Sequence, residues 1–472
     1  MDFREINFGL SDAQSERMDN PNLLIDGYLN VSKVIDAVNN PRYFLFLGYK
    51  GSGKSALSEH LKLCEDEYIV NQQPLKDFPF KFFDKVLDGE DRTIRYKTIW
   101  RWLLCASVLA TLCKDGKNMH SDAKCAIEIF TQLGLFPVMA ISTLLKKSST
   151  TTISASIEHL GISHSVSSEY AEADMELLTD YVKKIITSIK EEKPHLIIID
   201  ELDDILTPNG RQFENIAALI NEAKDLNAFF YDNHIPVKII ILCRTDMFER
   251  LPGQNLNKIR QSNSFTFTWY REGSDSNKNS DLVVMINKRA KLTYPVITNV
   301  FEEFFPNKYD ETDIYSSLLN YTRHIPRDFV QLINYIKENC NTDKVTIDAI
   351  NKGVKRYSIE YFKPEIANEL AGYLPNKAIP QVFDVLSSIR SQNFTYEQFA
   401  EKFNNIIGKI EVGPQDVLKV LYDCSAIGHF HYYKEFGDKR VLYKYRNRYT
   451  SFEKSDRILL HRGLWKAMNV SN

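Results

Sequence analysis

The sequence predicts an α/β fold: a parallel sheet covered by helices on both faces, followed by a helical lid and a C-terminal winged-helix-like unit. Three observations predict it. The runs Tyr43–Leu47, Leu196–Ile199 and Val237–Leu242 are apolar nearly throughout and are separated by helical stretches, as strands buried on both sheet faces are. A glycine-rich loop follows the first run directly. Three short helices and a basic hairpin close the chain, in the order of a winged helix.

The 472 residues exceed what one hydrophobic core accommodates, so two or three domains are expected. Hydrophobic residues make up 43% and charged residues 26%, with a net charge of −3. That balance is ordinary for a globular chain and excludes a globally basic nucleic-acid binder; any such contact needs a local patch. Seven cysteines form no CxxC pair and no zinc spacing, so reduced, mostly buried thiols are expected. The start is charged, without the apolar stretch of a signal peptide. Ala126–Leu145 is apolar but holds Glu128, Gln132, Gly134 and Pro137, and its runs fall short of a membrane span. A cytoplasmic protein with no membrane contact is the expectation.

Residues 1–270 read as the core. Tyr43–Leu47 is its first strand, the loop and a helix follow through Leu63, and Phe78–Asp84 reads as a second strand. Ile94–Leu112 is a long apolar helix. Residues from about 113 to 170 read as an insertion, in which Thr151–Val166 alternates apolar and polar residues around Gly161 and predicts a hairpin. Glu172–Glu191 and Phe213–Phe229 are helical, and Phe265–Trp269 is strand-like. Arg271–Asp281 is a polar linker into a helical lid at 282–360. The winged-helix-like unit spans 376–472.

Gly48-Tyr49-Lys50-Gly51-Ser52-Gly53-Lys54-Ser55, running into Ala56, fits G-x-x-x-x-G-K-[ST] between a strand and a helix: a P-loop. Glycines let backbone N–H groups wrap phosphates, and the helix N-terminus adds partial positive charge. Lys54 would reach the β- and γ-phosphates and the Ser55 hydroxyl would ligate Mg²⁺. Downstream, Leu196–Ile199 ends in Asp200-Glu201, an acid pair at the carboxyl edge of a buried strand, where open α/β sheets bind ligands. Asp200 would hold Mg²⁺ through water and Glu201 would polarise the attacking water. The alternative is an acidic helix start, with Asp203 and Asp204 contributing.

At the end of the next strand, Arg244 is the candidate γ-phosphate sensor and Thr245 the second, against an ordinary surface arginine. Arg244-Thr245-Asp246 lacks the lysine of the guanine-reading motif, which favours ATP. Arg260 is a candidate arginine finger for a neighbouring subunit in a homo-oligomer, against plain surface charge. In Arg323-His324-Ile325-Pro326-Arg327, Arg327 could reach the nucleotide, against a helix-start role. Lys434, Lys439, Arg440, Lys444, Arg446 and Arg448 crowd the terminal hairpin among tyrosines. The hairpin offers phosphates a surface, yet Gln415–Leu421 has a single basic residue for base edges. Nucleic acid and a protein partner remain alternatives.

Together these residues resemble the AAA+/STAND branch of P-loop ATPases. Leu242-Cys243-Arg244 looks like the strand-end arginine of STAND proteins. His324-Ile325-Pro326-Arg327 is similar to the Gly-x-Pro-Arg lid motif of origin-recognition-type initiators, with His324 in place of the glycine. Asp2–Gly9 and Leu460–Ala467 look like a poorly characterised family of bacterial P-loop ATPases, a resemblance covering nearly the whole chain. It implies a switch or remodelling ATPase using ATP and Mg²⁺, and action beside a protein effector in antiviral defence. A phosphotransferase and an adaptor that holds ATP without turnover are the alternative classes.

Overall fold

Five segments of this chain have the apolar content or the local pairing to form one parallel sheet. In the computed structural model they are β1 (Leu45–Gly48), β2 (Ile69–Pro74), β3 (His195–Asp200), β4 (Val237–Arg244) and β5 (Ser264–Thr266). The structure describes all residues except 77, 84–91, 114–120, 137, 139, 163–170, 203–209, 254, 271–276, 372, 407–411, 434–437 and 471–472. The chain divides into two units: residues 32–50 with 54–267, and residues 1–31 with 51–53 and 268–472.

In the first unit the sheet order is β2-β3-β4-β1-β5, all parallel. β1 feeds a helix, α1 (Lys54–Leu63), and the chain leaves toward β2; after β4 it passes β1 to reach β5 on the other side. The connections thus diverge around β1, the place in an open α/β sheet where ligands sit at the carboxyl ends of strands. Registers align those ends: Gly48 pairs with Arg244 and Ile199 with Ile241. The long helix α2 (Arg92–Leu112) is buried nearly all round, with Trp100, Trp102, Leu103, Leu104 and Cys105 at most 1% exposed. Its two indoles donate to Asn215 Oδ1 at 2.7 Å and Ser148 Oγ at 2.8 Å, which satisfies their polar atoms inside the core.

Two sequence expectations in this unit are corrected. Residues 78–83 do not form the second strand: Phe80–Phe82 is a single 3₁₀ turn, Phe78 stacks on Trp100 at 5.2 Å, and Asp84 lies outside the described residues. β2 is instead Ile69–Pro74, whose polar composition hid it. Its inward Asn71 and Gln73 are buried because they bond each other at 2.7 Å and reach Thr111 at 2.9 Å. Nor does Thr151–Val166 form a hairpin. Thr150–His159 is a helix, capped by Ser149 and burying Ile153, Ser156 and Ile157 at helical spacing. A run in which both periods fit was read at the wrong one; residues 163–166 lie outside the described residues. Among the described residues no helix is long and apolar enough to cross a membrane.

In the second unit the N-terminus, read from sequence as part of the core, packs with the helical segment. Phe3 lies 5.6 Å from Phe304 and 5.2 Å from Phe305, and Arg289 holds buried Glu16 at 2.7 Å. Helices include Asp281–Thr293, Pro326–Glu338 and Ile347–Arg356. Arg323 is locked by Asp328 at 2.8 Å and Glu369 at 2.6 Å, with all three side chains less than a tenth exposed. Beyond them, helices Ala378–Ile389, Tyr396–Ile406 and Pro414–Asp423 accompany β6 (Asn393–Phe394), β7 (Ile427–Tyr433), β8 (Asp438–Leu442) and β9 (Arg457–Leu460). These strands form an antiparallel sheet in the order β8-β7-β9-β6.

Candidate phosphate-binding site

The loop between β1 and α1 turns through two left-handed glycines, Gly51 at φ +78° and Gly53 at φ +97°. A side chain at either position would strain the backbone, which is why the loop needs glycine there. In the sheet unit, Lys54 opens α1 and is 7% exposed, and its Nζ donates to the carbonyls of Gly48 and Tyr49, both at 3.1 Å. Ser55 follows on the exposed side of the same turn, with Ala56 half-buried behind it. Tyr49 and Lys50 are half-buried.

The carboxyl ends of β3 and β4 bring acids to that lysine. Asp200 ends β3, where its Oδ1 accepts from the Glu201 N–H at 2.8 Å and its carboxylate also takes the Ser55 hydroxyl. Burial pushes the Asp200 carboxyl up, against the lowering effect of those two bonds and the Lys54 charge. Glu201 is exposed and sits at φ +59°. A non-glycine residue held there costs on the order of 1 kcal/mol, and such strain clusters where a side chain must be aimed. The acidic run Asp203-Asp204 lies outside the described residues; the next described helix begins at Gly210.

Arg244 ends β4 and is clasped by Asp246, Nε to Oδ1 at 2.9 Å and Nη2 to Oδ2 at 2.6 Å. Burial raises the Asp246 carboxyl, but the charges of Arg244 and Lys54 outweigh it and hold the group below its ordinary range. Asp246 is the member that sequence reading missed; an acid two residues beyond a strand-end arginine was the available signal. Thr245 is 2% exposed, and its hydroxyl has no hydrogen-bond partner among the described residues. So Lys54, Ser55, Asp200, Arg244 and Asp246 form one cluster of charge, while Arg260 stands apart in the helix Leu256–Asn263, paired with Glu249 at 2.9 Å.

In the other unit, Arg327 follows Pro326 at a helix start, and its Nε donates to the Ser11 carbonyl at 2.9 Å. His324 takes a left-handed backbone, φ +51°, a conformation that suits glycine best. It is buried between Tyr270 at 5.1 Å and Tyr445 at 5.3 Å, and burial, with Arg446 beside it, pushes its imidazole down to about 3. Of the basic residues expected on the terminal hairpin, Lys444, Arg446 and Arg448 instead follow its second strand, and Arg446 lies over Tyr270, Tyr443 and Tyr445 and donates to Asn320 at 3.0 Å. Lys444 donates to the Thr450 carbonyl at 2.9 Å and Arg448 to the Tyr449 hydroxyl at 2.8 Å. Lys434 lies outside the described residues, as do the side chains of Lys439 and Arg440.

The residues fit a magnesium–triphosphate. A buried ammonium bonded here to loop carbonyls, a Ser55–Asp200 pair of hard oxygen ligands and an orphaned Thr245 hydroxyl are the donors that such a ligand requires. Asp200→Asn gives a check. A carboxyl whose value is raised on folding costs stability above that value, so at neutral pH the asparagine variant should melt higher than wild type without ligand. It should also lose the Mg²⁺-dependent part of any stabilisation by ATP. Thermal melts with and without Mg²⁺ read both; a lower melting point without ligand contradicts the account.

A parallel sheet with this loop at its switch point and acids at the same edge defines the P-loop NTPase fold. Residues 280–363 match the family model described as the FunZ-associated C-terminal helical domain. The chain is similar to the Aeropyrum pernix Orc1 protein, solved in complex with DNA, at 10% identity and a TM-score of 0.37, covering 96% of this chain and 95% of that one. No curated protein matches the chain.

Proposed function

We propose that this chain is an ATPase of the AAA+/STAND type, a switch or remodeller that binds ATP with Mg²⁺ at Gly48–Ser55 and hydrolyses it to act on a protein partner. The single observation that carries this is the cluster at the sheet's carboxyl edge, where buried Lys54 and the Ser55–Asp200 pair stand beside Glu201 on its strained backbone. Lys54 would exchange its two carbonyl acceptors for phosphate oxygens. Ser55 and Asp200 would hold Mg²⁺, which when bound neutralises phosphate charge. Glu201 would accept a proton from the attacking water. With Arg244 clasped by Asp246, the Thr245 hydroxyl is the better sensor of the γ-phosphate, and Arg244 orients the edge.

The protein-partner reading is preferred over nucleic acid because Lys444, Arg446 and Arg448, which follow the hairpin's second strand, are each bound within their own unit. The winged-helix-like order of the last helices and strands then serves as an adaptor. Antiviral defence rests on the family resemblance alone. Arg260 is assigned the finger of a homo-oligomer, its pairing with Glu249 being one that a neighbouring phosphate would replace.

Incubation with Mg²⁺ and ATP and no acceptor tests the reading. Free phosphate should appear, at a rate per subunit that rises with protein concentration. Arg260→Ala should bind ATP yet lose turnover, and mixing it with Lys54→Ala should recover some activity, because the lysine variant still offers its finger. ATP returned intact would favour an adaptor; label passed to an acceptor would favour a phosphotransferase. Turnover per subunit that is flat on dilution, without complementation, removes Arg260 from the mechanism.

A further inference from the structure

Within the second unit, the tip of the phosphate loop is gripped from behind. The Trp269 indole Nε1 donates to the Ser52 carbonyl at 2.8 Å, and the Arg327 backbone N–H reaches the Gly51 carbonyl at 3.4 Å. Trp269 is 7% exposed, so its bond is made away from water. Its neighbour Tyr270 is wedged edge-on against His324 at 5.1 Å and Tyr445 at 6.1 Å, under the Arg446 guanidinium, which fixes the chain that presents the indole.

A trans peptide unit points its C=O and N–H in opposite directions. The Ser52 carbonyl shares its unit with the Gly53 N–H, and the Gly51 carbonyl shares its unit with the Ser52 N–H. Donors on those carbonyls therefore aim the two N–H groups to the opposite side of the loop. Neither N–H has an acceptor among the described residues. The Ser52 hydroxyl is likewise buried without a partner, on a residue 2% exposed. A hydrogen bond accepted by a carbonyl also polarises its amide, which makes the N–H across the unit a stronger donor. The stage is crowded as well: a Cβ at Gly51 would lie 2.9 Å from the Arg327 Cβ and 3.1 Å from the Ile325 Cδ1.

We infer that Trp269 is a positioning residue for triphosphate binding: its indole N–H fixes and polarises the Ser52–Gly53 peptide so that the Gly53 N–H is presented to a phosphate oxygen. The residue acts through the loop and touches no reacting atom. The inference rests on the ATP reading above and adds to it a link by which occupancy of the loop is felt at Tyr270 and the aromatic cluster around His324.

The test uses the full chain, Mg²⁺ and a non-hydrolysable ATP analogue. Trp269→Phe keeps the apolar ring and removes the donor. Its affinity for the analogue should fall about threefold to tenfold, the effect of one buried hydrogen bond, while any affinity for adenosine, which lacks phosphate, stays at the wild-type value. In wild type, ¹⁵N-indole spectra should show one of the four tryptophan N–H signals moving on saturation; this measurement stands even if the variant fails to fold. Equal affinity of both proteins for the analogue, an equal loss for adenosine, or four unmoved signals while the analogue binds each overturn the role of Trp269 and leave the ATP site intact. A wild type that binds no analogue overturns the ATP reading, and this inference with it.

Discussion

Lys54→Ala should bind Mg²⁺–ATP at least about a hundredfold more weakly than wild type. Each hydrogen bond from an ammonium to an ionised oxygen contributes about 1.5–3 kcal/mol, and Lys54 would make two of them to the β- and γ-phosphates. Among the described groups of the cluster, the other cation is Arg244, already clasped by Asp246. The loop itself should survive, because its course is set by the left-handed backbone at Gly51 and Gly53 rather than by the lysine. Losing the ammonium leaves the Gly48 and Tyr49 carbonyls without their bonds to it and takes a positive charge from beside Asp200 and Asp246. Calorimetric titration with ATP reads the affinity, and circular dichroism checks the fold. A variant that folds and keeps wild-type affinity would mean that phosphates do not bind at this loop.

Glu201→Gln should hold ATP as well as wild type does and hydrolyse it at least roughly a hundredfold more slowly, the usual loss when a general base is removed. Glutamine has nearly the same shape and keeps the strained backbone at φ +59°, so the change isolates the carboxylate. Binding should be untouched because the Mg²⁺ assignment falls to Ser55 and Asp200, and the backbone N–H of residue 201 still donates to Asp200 Oδ1. Single-turnover release of labelled phosphate measures the step. Turnover near wild type would reduce Glu201 to an acidic cap and send the search for the base elsewhere.

Legibility in the sequence followed burial. β1, β3 and β4 were readable because strands covered on both faces must be apolar throughout, and the loop was readable because only glycine meets its backbone angles. β2 was not, since Asn71 and Gln73 are buried by bonding each other and a helix residue, a compensation invisible without the partners. Thr150–His159 failed for another reason: a short run whose apolar residues satisfy two periods is decided by its tertiary neighbours.

At the site, residue types chosen for chemistry were legible and their relations were not. Asp200 and Glu201 stood out as an acid pair after an apolar run. The clasp of Arg244 by Asp246 had only the short spacing of the two residues as a signal, while the orphaned hydroxyls of Ser52 and Thr245 and the indole of Trp269 on the loop had none. The indole contact joins residues 217 apart in sequence, a meeting that only the folded chain makes.

The most direct test of the central claim is a crystal structure of the full chain grown with Mg²⁺ and a non-hydrolysable ATP analogue. The account predicts the triphosphate in the Gly48–Ser55 loop, with the Ser52 and Gly53 N–H groups and Lys54 Nζ on phosphate oxygens, the cation on Ser55, and Lys54 released from the Gly48 and Tyr49 carbonyls. Analogue bound elsewhere on the chain, with Lys54 still on those two carbonyls, would contradict it.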